Sequence, residues 1–147
     1  MNKRIACLLA AAIASVLLSA LLWLKAYWQI LPQLNIISVI AAHLEIADGA
    51  AWWLHGVVAT LLYSVLFYWL NAHSADNNYV LRGIVVGLLG WLVIMLFIMP
   101  ALGFGLFIAD ISQGPLPAVA TLIVHLCYGA CLGTCYGYFI GWRPAPE

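Results

Sequence analysis

Two histidines carry the strongest prospect of chemistry in this chain. His55 and His125 each sit inside a long apolar run, His55 about one turn from its start and His125 about two and a half. An imidazole in lipid is costly unless something partners it, so each marks a site by default. Three readings are open. In the first, each ring bonds to a backbone carbonyl or to a hydroxyl such as Thr60, Thr121 or Tyr128 and locks helices together. In the second, the pair are axial ligands of a haem b held between helices, with Ala59 and Gly129 leaving room for the porphyrin. In the third, the histidines and Lys25 line a small polar cavity for a proton, metal ion or solute, with Glu45 or Asp48 as a partner for the lysine. Lys25 could equally snorkel to the interface. His43 and His73 lie in polar stretches and read as solvated. Cys127, Cys131 and Cys135 recur every fourth residue, and without CxxC spacing or an accompanying acid they read as small packing groups.

The elements that must hold these residues are membrane spans. Of 147 residues, 67% are hydrophobic and only 7% charged, against roughly a quarter charged in soluble domains. Lysines plus arginines and aspartates plus glutamates number five each, so no basic stripe exists for a nucleic-acid partner. A lipid bilayer is the partner the composition demands. Crossing it as helix takes about 20 apolar residues. Four runs qualify, at about 5–31, 51–70, 83–108 and 116–140, the first reading as an uncleaved span. They are continuous, without the period-two alternation of barrel strands. Short helical segments are expected at about 34–46 and 101–111, on the outer side. Lys3, Arg4, Arg82 and Arg143 fall on the other side, which places both termini and the 71–82 loop in the cytoplasm. Trp142 and other aromatics mark the interfaces.

Small residues at every fourth place mark the faces where membrane helices approach closely. Span one offers Ser15 and Ser19, span three Gly83 and Gly87, and span four Gly129, Gly133 and Gly137. These ridges also disclose a repeat. Ser15, Ser19, Trp23 and Pro32 share one offset with Gly83, Gly87, Trp91 and Pro100, and a two-residue insertion then brings His55 onto His125 and Ala59 onto Gly129. The expected fold is therefore all-α: a polytopic four-helix bundle of two repeated helical hairpins, with a pseudo-two-fold axis along the membrane normal.

Trp52 and His55 at the start of span two, and the V-H-x-x-x-G of span four (Val124 to Gly129), give the chain a resemblance. It is similar to small four-span bacterial inner-membrane proteins of unknown function, of the YagU type. That resemblance implies a bacterial inner membrane and supplies no reaction. No HExxH, nucleophile elbow, P-loop or intraspan carboxylate pair is present, so a non-enzymatic protein is expected. Its exposed ridges suit association with itself or with a larger membrane complex, and haem b electron transfer is the rival class.

Overall fold

A computed structural model describes residues 1–32, 34–74, 77–110 and 114–141. Its helices are α1 (Lys3–Tyr27), α2 (Ile36–Leu44), α3 (Asp48–Ala72), α4 (Tyr79–Val93), α5 (Met99–Ala101) and α6 (Leu116–Phe139). A π-helical stretch, Ile94–Ile98, joins α4 to α5, so that one helical span runs from Tyr79 to Ala101. Among the described residues there is no strand. Four spans are long and apolar enough to cross a membrane.

Local chemistry sets the helix ends. Asn2, Asn35 and Asn78 each accept a backbone N–H of the first turn that follows them, the N-cap role suited to a short side-chain carbonyl. That cap starts the third span at Tyr79, one turn before the apolar run suggests. α1 stops at Tyr27, also a turn earlier than expected, where Gln29 and Leu31 adopt positive φ ahead of Pro32. Lys25 then donates from Nζ to the carbonyls of Leu31 and Leu34, at 3.1 and 2.6 Å. Pro100 is accommodated inside the third span. The π stretch lets Met99 N–H reach back to Ile94 O, so the ladder is already widened where proline removes a donor. Of the expected 101–111 helix, a single 3-10 turn forms at Leu106–Ile108, because Gly103 and Gly105 take positive φ on either side of Phe104.

The helices form a ring in the order α1, α3, α4, α6, with α6 closing back on α1. The tightest seam joins α4 to α6. A Cβ added to Gly83 would collide with the carbonyl of Gly129, and one on Gly129 with the carbonyl of Gly83. Gly87 meets the backbone of His125 and Gly133 that of Tyr79 in the same way. The two backbones touch directly, as small residues permit in lipid. The α1 seam is built instead from buried Ala6, Cys7, Ala10, Ala11 and Ala14. Inside the ring Tyr63, Phe67, Tyr128, Leu132 and Tyr136 fill the core. Large apolar side chains such as Val16, Val65 and Phe97 face outward, where lipid is their solvent.

Candidate functional site

The interior carries polar groups in two layers. The first is a hydroxyl relay at mid-depth. Thr60 on α3 donates to Ser15 on α1 at 2.9 Å, and Ser15 lies 3.2 Å from the Tyr128 hydroxyl on α6. Tyr128 donates in turn to Ala11 O at 3.3 Å, which makes Ser15 the donor to Tyr128. One direction of donation thus runs through three helices and ends on a carbonyl. Beside it the Tyr63 ring leans on Tyr128, 4.6 Å between centroids, with its hydroxyl against Gly90. Tyr63 is only 5% exposed and its oxygen has no hydrogen-bond partner.

The second layer holds the two histidines, His55 lying about one and a half turns of α3 closer to the α2 end than Thr60. His55 and His125 come from diagonal helices, α3 and α6. His125 Nδ1 lies 2.7 Å from Thr121 O in its own helix, and since a carbonyl only accepts, Nδ1 carries the proton. Its Nε2 is left as a lone pair. His55 Nδ1 is buried and unpartnered. Thr121 is itself anchored: its hydroxyl donates to Ala118 O at 2.8 Å, and Trp91 Nε1 of α4 donates to that same carbonyl at 3.2 Å.

The remaining expected site residues are dispersed. Gly129, expected to leave room for a porphyrin, faces the α4 backbone, so that space is already filled; Ala59 is half-buried against the core. Ser15 acts as a hydrogen-bonding group and Ser19 lines a groove. Gly83, Gly87, Gly129 and Gly133 lie in the α4–α6 seam, and Gly137 is buried one turn on. Lys25 is spent on loop carbonyls, while Glu45 is exposed at the C-cap of α2 with φ 54°. Cys131 and Cys135 place their sulfurs 3.9 Å apart against the core, and Cys127 is exposed. Arg143 and Trp142 lie outside the described residues. Tyr63 carried no signal in the sequence: it is one tyrosine among seven, and the residue that covers its hydroxyl, Gly90, lies on another helix.

Among the described residues, a groove and a polar recess stand out at the surface. A groove of about 540 Å³ runs between α1 and α3, walled by Ala12, Val16, Ser19, Trp53, Gly56 and Val57, with Ser15 and Thr60 at its floor. At the other end a polar recess of about 230 Å³ is lined by Lys3, Tyr68, Asn71, Tyr79 and Arg82 among others, where Arg82 Nη1 donates to Asn71 Oδ1.

Four apolar spans around a small polar interior define a polytopic membrane protein. The chain belongs to DUF6789, a family of unknown function whose pattern matches residues 1–146. No curated protein and no solved structure matches it.

Proposed function

We propose that this is a non-enzymatic inner-membrane protein that works by lateral association, receiving an apolar helix in the groove between α1 and α3. The observation that carries the reading is the uneven burial of the spans. In its most apolar stretch α3 is 22% buried, against 33–39% for the other three. Trp53, at its α2 end, is 77% exposed. A helix so poorly covered, beside a groove of small residues, has the unmet contacts of a packed face. The occupant we favour is α3 of a second copy, whose Val57, Leu61 and Val65 supply an exposed apolar ridge of its own. Lys3, Arg4 and Arg82 gather at one end, which supports cytoplasmic termini and a cytoplasmic 71–82 loop. Ser15 contacts Tyr128 and Gly83 contacts Gly129, adjacent residues of α6, and this equal depth supports a duplicated hairpin.

The test is oligomeric state in nanodiscs, with Gly56→Leu to fill the groove. Nothing lies within 4 Å of a Cβ at Gly56, so the added side chain starts into open groove, and circular dichroism of the variant checks that it is folded. A dimer lost in that variant supports the reading, and a monomer in both overturns self-association. The rival reading is bis-histidine haem b, favoured by the orphan His55 Nδ1. A reduced-minus-oxidised spectrum of the purified protein decides it.

A further inference from the structure

We propose that the polar recess at the end of the bundle away from α2 binds a phosphate group, held by Lys3, Tyr68, Arg82 and Tyr136. This goes beyond lateral association and does not depend on it. The recess encloses about 230 Å³ where α1 and α4 begin and α3 ends. Four helices wall it: Lys3 comes from α1, Tyr68 and Asn71 from α3, Arg82 from α4 and Tyr136 from α6. Its described lining holds two cations and no carboxylate. Arg82 is only 6% exposed, whereas an arginine near the end of a span ordinarily snorkels to water. It is held from two sides. Its Nη1 donates to Asn71 Oδ1, Asn71 donates in turn to Phe67 O at 2.8 Å, and the guanidinium lies 5.3 Å from the Tyr79 ring centre. Tyr136 is the second pointer. It is 2% exposed, with its ring against Phe67 and Tyr79, and it lines the recess without a hydrogen bond from its hydroxyl to any described residue. Buried tyrosine hydroxyls ordinarily find a partner. Tyr68 also has a proton to give, because its oxygen accepts from Arg4 Nε at 3.5 Å.

The donors select the ligand. An ammonium, a guanidinium and two phenol O–H groups brought to one recess from four helices call for an acceptor with several oxygens and negative charge. Tyr79 and Ser74 complete the wall with their protons already given to Asn77 Oδ1 and Leu70 O. The volume exceeds the need of a single water, whose share of liquid is about 30 Å³, and leaves space for a phosphate with its ester link. Depth favours a lipid as its source. The recess lies where the spans meet the membrane boundary, the level of phospholipid phosphates, and basic pockets between spans recognise anionic headgroups there. Free phosphate from the aqueous side offers the same chemistry. Two acids of the neighbouring sequence, Asp76 and Glu147, lie outside the described residues.

The experiment is native mass spectrometry of the full chain in mild detergent, with phosphatidylglycerol or phosphatidylcholine added at equal concentration. Calorimetric titration of the delipidated protein with inorganic phosphate runs beside it. One phosphatidylglycerol retained per chain is expected, in preference to phosphatidylcholine. Tyr136→Phe keeps the ring and every charge, and should weaken binding about tenfold, the worth of one hydrogen bond to a charged group. Lys3→Gln should weaken it about fivefold, the share of one cation at a membrane surface. Circular dichroism checks that both variants are folded. Inorganic phosphate bound with the same dependence on Tyr136 and Lys3 supports the site and makes free phosphate the source. Retention that is equal in the wild type and both variants overturns the proposal and marks the lipid as non-specific. Absence of binding by either probe overturns it too. So does binding seen only in Asp76→Asn, since the chain's own carboxylate then meets the charge of the recess.

Discussion

The two helical hairpins, α1 with α3 and α4 with α6, hold together by different means. In the second, α4 and α6 meet glycine to glycine, with Gly83 and Gly129 each blocking the other's missing Cβ. In the first, α1 and α3 meet through alanines and hydroxyls and part to leave the 540 Å³ groove. The same device, a small residue every fourth place, therefore gives a closed seam in one half and an open one in the other. What differs is the partner surface. Gly83 and Gly87 find glycines and a bare backbone opposite, whereas Ser15 finds Thr60 and Tyr128. Two backbones in contact cannot yield, while side chains meeting at hydroxyls can.

The largest effect expected follows at once. Gly129→Ala drives a methyl into the carbonyl of Gly83, and only separation of α4 from α6 relieves it. A loss of roughly 3 kcal/mol is expected, the upper range for overpacking. Unfolding by sodium dodecyl sulfate in mixed micelles, followed by circular dichroism, measures it. A change below about 1 kcal/mol would show that the seam is softer than its geometry.

Next comes the relay that joins the halves. Tyr128→Phe removes both the acceptor of Ser15 and the donor to Ala11 O. Interhelical hydrogen bonds in membranes average about 0.6 kcal/mol and reach about 1.7, so a loss near 1.5 kcal/mol is expected. Thr60→Val cuts only the first donor and should cost about 0.6 kcal/mol in the same titration. Equal losses in the two variants would mean that Tyr128 contributes through packing rather than through its hydroxyl.

How much of this was legible in the residues differs between layers. The four spans and the ridge of span four follow from apolar runs and from glycines at i, i+4, since lipid and close packing leave few alternatives. The start of α4 was also within reach, because Asn78 is a cap signal placed directly before Tyr79. The partners of the polar groups were not. Lys25 is satisfied by two main-chain carbonyls, which no sequence pattern displays. Ser15 reads as a small residue in a ridge, and only a tyrosine on another helix makes it a relay. Gly129 is hidden for the same reason: a glycine shows that something approaches, and here it is the α4 backbone.

The effect of opposite sign is the most discriminating, because it asks whether a glycine in the first hairpin behaves as one in the second. Gly56 is on α3, in the groove wall, and a Cβ there meets nothing within 4 Å. Gly56→Ala should therefore keep the fold and raise stability by up to about 1 kcal/mol, since alanine loses less freedom on entering a helix. The sign is then opposite to that of Gly129→Ala for one identical change of chemistry. The gain belongs to the isolated chain. If α3 of a second copy seats in the groove, the added methyl occupies contact space, so stability of the monomer rises while dimer affinity in nanodiscs falls. A variant more stable and equally dimeric would remove the groove as the association surface and leave α3 facing lipid alone.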